Sequence, residues 1–288
     1  MIRASSLKSD TGRKIAYITY DLNNNPIRIQ FTNANVTKYV YSATGEKLRV
    51  IYQTSVYPED ADIVKIGKTK ELTPEEINCT ETVDYLLGGR LVMRNGKIDK
   101  VLFDGGYAQA SAVSNTTKDK FAFYYYNQDH LGNNREVVDA KGVVQQVTNY
   151  YPFGAPYADA TAVKGANLQP YKYNGKELDL MHGLNTYDYG ARQHDPILAR
   201  WDRIDPLCEK YYSTSPYAYC ANNPVRFIDP DGMEIYVCPN NERSQETMQL
   251  ILGFIKEITG GKEGEYAFNE KGFYIELLLI TLGMKTES

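Results

Sequence analysis

The chain holds 288 residues, 42% of them hydrophobic, enough to fill the core of one large domain or two ordinary ones. A net charge of −4, spread without any long block of like charges, excludes the basic footprint of a nucleic-acid binder and a polybasic membrane patch. With no apolar run of about 18 residues and no secretory leader, neither a membrane anchor nor a signal peptide is expected, and four cysteines without C-x-x-C spacing predict free thiols.

The unusual quantity is tyrosine: 25, against 9 phenylalanines and a single Trp201. Tyrosine favours strands and carries a polar tip, so the surplus predicts large sheets whose faces are half buried with wet hydroxyls. In chain order, Ile15 to Tyr20 and Pro26 to Phe31 read as strands flanking the turn-forming run Asp21-Leu22-Asn23-Asn24-Asn25. Lys38 to Tyr41 and Lys47 to Tyr52 flank Ser42-Ala43-Thr44-Gly45-Glu46 in the same manner. A third pair surrounds Asn95-Gly96, a strong hairpin signal. A fourth runs from Phe121 to Tyr126 through His130 to Asn134 and on to Val138, followed by the turn Asp139 to Gly142 and one strand from Val143 to Tyr151. A tyrosine-flanked Asp/Asn/Gly turn recurring along the chain predicts a repeat array, with a non-repetitive tyrosine-rich β domain as the alternative. Thr73-Pro74-Glu75-Glu76 carries an N-cap, a proline at the first helical position and first-turn acids, so a helical insertion of a turn or two is expected there.

From Tyr150 to Gly232 the sequence turns to dense Tyr/Pro/Gly/Asn punctuation. It contains, in order, Tyr150-Tyr151-Pro152-Phe153-Gly154, Tyr173-Asn174-Gly175-Lys176-Glu177-Leu178-Asp179, Gly183 to Arg192, His194-Asp195-Pro196, Ala199-Arg200-Trp201, Arg203-Ile204-Asp205-Pro206-Leu207, Ser215 to Val225 and Phe227-Ile228-Asp229-Pro230-Asp231-Gly232. This ordered series resembles the Rhs repeat-associated core domain of bacterial YD-repeat proteins, and the upstream Gln128 to Arg135 is typical of the same family. The resemblance implies a mainly β fold: a YD-repeat hairpin strip or partial shell over residues 1–149, a core plug over 150–232, and a variable segment over 233–288 in the position of a toxin. It further implies a structural or delivery module of bacterial competition that scaffolds or encloses its own carboxy-terminal effector. The expected partners are then that segment, an immunity protein and a secretion apparatus, and the expected location is secreted or on the cell surface as part of a longer protein. On this reading the chain is the distal piece of that longer protein or the product of a degraded gene.

The resemblance also implies self-cleavage by paired aspartates, with Asp205 and Asp229 as the catalytic pair and the cut between Met233 and Glu234. Such chemistry needs two carboxylates close enough that one stays neutral while the other, ionised, activates water. Two departures from the pattern stand against it: Asp205-Pro206-Leu207-Cys208 lacks the glycine of Asp-Pro-x-Gly, and Met233 replaces leucine. The competing reading makes both aspartates turn openers whose carboxylates accept local N–H bonds. Arg192, Arg200 and Arg203, near these turns, are expected in ion pairs of the shell. His130, His182 and His194 are scattered without metal-ligand spacing, and no metal or other cofactor is expected. A third reading is a carbohydrate-binding or adhesion surface, since tyrosine-lined sheets can stack sugars.

Residues 233–288 carry nine acids against five bases, a net −4 equal to that of the whole chain, and no histidine, which disfavours a nuclease. Asn241 to Ile258 has apolar residues at helical spacing before Gly260-Gly261, and Tyr266-Ala267-Phe268 with Phe273-Tyr274-Ile275 flank a hairpin turn, so a small α+β piece or a truncated toxin remnant is expected.

Overall fold

The computed structural model describes residues 12–110, 121–157, 169–211, 214–237, 268–269 and 272–274. The first part is one antiparallel sheet in which every strand pairs with its neighbour in sequence: β1 (Ile15–Tyr20), β2 (Pro26–Phe31), β3 (Val36–Tyr41), β4 (Lys47–Ser55), β5 (Ile77–Leu86), β6 (Leu91–Arg94), β7 (Lys97–Phe103), β8 (Gly106–Ala110), β9 (Phe121–Gln128), β10 (Asn134–Asp139) and β11 (Val144–Val147). The four hairpins expected from the sequence are all present, and β5, which that reading did not delineate, pairs with β4 from Arg49↔Asp84 to Ser55↔Ile77.

One turn device recurs along this strip. Asp21 Oδ1 accepts the N–H groups of Asn23 and Asn25, Asp129 Oδ1 those of Leu131 and Asn133, and Asp139 Oδ1 those of Lys141 and Val143. Three residues after each aspartate stands one at positive φ: Asn24 at 64°, Gly132 at 74° and Gly142 at 79°. That conformation is open to glycine and asparagine, which is why these turns are written in Asp, Asn and Gly. Between β4 and β5, residues 56–76 leave the ladder and lie over its start, where Val64 packs on Ala16 and Ala34. This excursion ends in a single 3-10 turn, Pro74–Glu76, its Glu76 carboxylate accepting from the Thr73 N–H at 3.1 Å, as the local sequence predicted.

The expected single strand from Val143 to Tyr151 is broken. Its second half, β12 (Asn149–Tyr150), leaves the strip past the last bond to β10, from the Thr148 N–H to the Arg135 carbonyl, and pairs with β13 (Pro156–Tyr157) through a tight return that Gly154 closes at φ 89°. There follows a compact meander of very short strands, β14 (Glu177–Asp179), β15 (Thr186–Asp188), β16 (Gln193–Asp195) and β17 (Arg200–Trp201). Its core is aromatic: Tyr173, Tyr187, Tyr189, Trp201 and Tyr219 are all buried, with His194 stacked on Tyr219 at 3.8 Å between centroids. A last sheet runs β18 (Phe227–Ile228), β19 (Tyr236–Val237), β21 (Gly272–Tyr274), β20 (Phe268–Asn269), so the carboxy-terminal hairpin expected around Gly272 is present. The helix expected over Asn241 to Ile258 lies outside the described residues.

The meander sits on one face of the strip. Leu184 joins the strip's apolar cluster of Ile18, Ile29, Phe31, Tyr39, Val50, Tyr52, Val83, Tyr85 and Val92. Here the expectation of wet tyrosine hydroxyls fails. Tyr39 and Tyr52 are buried and both donate to Asp179 Oδ2, at 3.2 and 3.1 Å, and Tyr85 donates to the carboxylate of Glu177 at 2.8 Å. Lys47 bridges Glu177 at 2.8 Å and Asp188 at 2.7 Å. Burial pulls the Lys47 pKa down, but these two carboxylates outweigh it and hold the ammonium charged. The tyrosines serve as donors from the strip to carboxylates of the second unit.

Candidate functional site: an Asp–Arg–Asp centre at the end of the core

Three Asp-Pro dipeptides close the compact unit, and each aspartate divides its two oxygens in the same way. One oxygen folds the turn. Asp195 Oδ1 accepts from Ile197 N and Leu198 N, Asp205 Oδ1 from Leu207 N at 2.7 Å, and Asp229 Oδ1 from Gly232 N at 2.7 Å and Met233 N at 3.1 Å. Proline presets φ for such turns, so the turn-opening role expected of these residues is visible at all three. The second oxygen meets an arginine: Asp195 pairs with Arg13 of the strip, while Asp205 Oδ2 and Asp229 Oδ2 both reach Arg192 Nη2, at 2.9 and 3.2 Å.

Asp205 and Asp229 are thus brought together, and the residue that unites them is Arg192. The sequence placed it only among arginines near the turns. Its position at the end of the Gly183 to Arg192 motif was the available signal, but nothing in spacing says that one guanidinium serves two aspartates 13 and 37 residues away. Arg203 is an ion-pair residue, as expected, bonding Asp202 and reaching the strip at the Asn24 carbonyl. Arg200 stands over the ring of Tyr217.

Arg192 is 1% exposed and lies 4.3 Å from the centre of the Trp201 ring. It also holds the last turn of the core, its Nε donating to the Gly232 carbonyl at 2.5 Å. Lys176 reaches the Pro230 carbonyl at 2.6 Å and the Ala191 N–H reaches that of Asp231 at 3.1 Å. Gly232 sits at φ 79°, and a Cβ there would stand 2.9 Å from Arg192 N, so both conformation and space call for glycine. The chain entering Met233 is gripped on both sides: the carbonyl before it by Arg192, its own N–H by Asp229 and by Asp231 Oδ1 at 3.0 Å.

Asp229 is wholly buried, and burial pushes its pKa up to about 7 against the pull of Arg192 and the turn amides. Asp205 is raised by burial too, with Arg192 opposing. Arg192 itself is lowered by burial although both carboxylates act to raise it. Two buried acids beside one cation carry a net negative charge if both ionise, and the charge of Asp205 adds to the rise of Asp229. His182, by contrast, is held in the strip–core junction between the hydroxyls of Thr37 and Thr54, each at 3.2 Å, and His194 is locked in the aromatic core with Nε2 on the Phe153 carbonyl at 2.8 Å. Burial takes both down to about 4, so they pack as neutral rings at neutral pH.

The chain is thus a mainly β protein, a tyrosine-lined antiparallel hairpin strip carrying a compact, arginine-centred unit that ends in Asp-Pro-Asp-Gly. Over most of its length the chain is homologous to Rhs/YD-repeat proteins, toxins among them. No protein-family model matches it. It is 36% identical over 98 residues to the toxin subunit YenC2 of Yersinia entomophaga, covering 33% of this chain and 10% of that protein. It is 27% identical over 233 residues to the tRNA3(Ser)-specific nuclease WapA of Bacillus spizizenii, covering 80% of this chain and 8% of that protein. Salivary gland surface protein 1 of Aedes aegypti is 35% identical over 147 residues, 50% of this chain and 4% of that protein. In fold the chain is similar to part of the Photorhabdus luminescens Tc holotoxin pore, with a TM-score of 0.54 and 18% identity over 79% of this chain and 10% of the other. The chain spans between 4% and 10% of the length of these relatives.

Proposed function

We propose that this chain is the distal part of a longer secreted or surface-displayed Rhs/YD-repeat protein, whose strip and core scaffold or enclose the segment after Gly232 as an effector. The observation that carries the reading is the strip–core junction, where Tyr39, Tyr52, Tyr85 and Lys47 bind Asp179, Glu177 and Asp188 and fasten the unit that precedes the segment to one face of the strip. A secretion apparatus and an immunity protein that neutralises the effector are the partners this role calls for. Protection is the test. In the whole polypeptide that contains this chain, residues 234–288 are expected to survive a broad-specificity protease that degrades them in the isolated chain; equal degradation in both removes enclosure.

A second reading rests on the Asp–Arg–Asp centre: an aspartate-dependent autoprotease that cuts between Met233 and Glu234. Asp229, with its pKa near 7, supplies the neutral acid, Asp205 the ionised base that activates water, and Arg192 keeps the pair from repelling one another. Its test is intact mass over days. Two pieces that sum to the full chain plus one water, with the smaller beginning at Glu234 and both absent from Asp229→Asn, are expected; a single unchanged mass contradicts the reading.

A further inference from the structure

The expected cut at Met233–Glu234 falls inside a sheet. Of its four strands only β18 precedes the cut; β19, β21 and β20 follow it. β19 pairs antiparallel with β18 at Phe227↔Val237 and Ile228↔Tyr236, and its other edge pairs with β21 at Tyr236↔Tyr274 and Val237↔Phe273. Ile235 and Tyr236, the second and third residues after the cut, are 5% and 6% exposed. Glu234 pairs with Lys210 at 3.2 Å and accepts the Tyr236 hydroxyl at 3.0 Å.

We infer that Glu234 to Val237 is a docking strand that keeps the carboxy-terminal segment bound to the core after the chain is cut. This deepens the second reading above and rests on it only for the position of the cut. A two-residue ladder alone is too short to hold a peptide. Two buried side chains, an ion pair to Lys210 and continuation of the sheet into the segment's own hairpin supply what the ladder lacks. The arrangement is strand addition: main-chain bonds along β18 give the register, and sites for Ile235 and Tyr236 select an extended peptide with bulky apolar residues at those two positions. Scission therefore separates two events. Breaking the covalent bond removes the tether, and the segment leaves only when β19 is unzipped from β18, by dilution, unfolding or a competing strand.

The test uses the full chain. Protein that has cut itself is passed over a sizing column in native buffer and again in denaturant. If no self-cutting occurs, a site-specific protease sequence placed between Met233 and Glu234 is cut instead, so failure of autoproteolysis and failure of docking are read separately. The two pieces are expected to co-elute in native buffer and separate in denaturant; separation in native buffer overturns the inference. In the double variant Ile235→Asp, Tyr236→Ser the retained fraction is expected to fall at least tenfold, and unchanged retention would show that another contact holds the segment. Hydrogen exchange in the cut wild-type chain gives an independent reading: the amides of Tyr236 and Val237 stay protected if the strand is docked, and exchange at unfolded rates if it is not.

Discussion

The strip and the core are both β structure, yet they are held together by different means. In the strip each strand pairs with the next in sequence, and the turns at Asp21, Ser42, Asp129 and Asp139 are closed by that residue acting on amides two to four positions away. In the core the strands are two or three residues long, and order comes from side chains that reach far: Arg192 to Asp205 and Asp229, Arg203 to Asn24, Tyr189 to Tyr219. A repeat made of local contacts tolerates damage piecemeal, whereas a unit gathered around one buried cation depends on that cation.

The largest effect is therefore expected at Arg192. Arg192→Ala leaves two buried carboxylates without their counter-charge and should cost about 3–5 kcal/mol in denaturant unfolding. A loss confined to tenths of a kcal/mol would erase the distinction between the regions.

The junction between them should respond to pH. Burial lifts Asp179 to about 6, with the Met181 N–H and Lys47 opposing, so its charge is costly at neutral pH. As pH falls from about 6 towards the ordinary value of 3.8, the folded chain takes up a proton that the unfolded chain does not, and stability rises. Relative to Asp179→Asn, the wild type should gain at most about 1.4 kcal/mol per pH unit across that window, read from paired unfolding curves. The variant is needed as a reference because His182 and His194, held down to about 4, act in the opposite sense: below 6.5 the unfolded chain binds protons that these buried rings refuse. A wild type that loses ground against the variant on acidification would contradict the assignment.

Tyr85→Phe leaves Glu177 with Lys47 but without its tyrosine donor, and is expected to cost about 1–2 kcal/mol. The smallest effect belongs to the strip. Gly142→Ala places a side chain at φ 79° with nothing within 4 Å, so only backbone strain is at issue, about 1 kcal/mol, in thermal unfolding.

How far the sequence could be read follows the same division. The hairpins around Asp21 to Asn25 and Asp139 to Gly142 were legible because the residues that make each turn lie inside it. β5 was not, since residues 56–76 separate it from β4 and its Asn78-Cys79-Thr80-Glu81-Thr82 run is polar. Asp205 and Asp229 could be singled out by motif, but their common partner could not. The same holds for Tyr39 and Tyr52, which meet Asp179 across 140 and 127 residues: the sequence announces a surplus of tyrosine, and only the fold shows which carboxylates the hydroxyls serve.

The direct measurement of this account is hydrogen exchange by peptide, comparing wild type with Arg192→Ala. Protection is expected to collapse across 169–237, including the amides of Gly232 and Met233 that donate to Asp229, while β3 and β4 stay protected. Equal loss in both regions, or none in the core, would contradict the claim that Arg192 organises the core while the strip stands on its own local contacts.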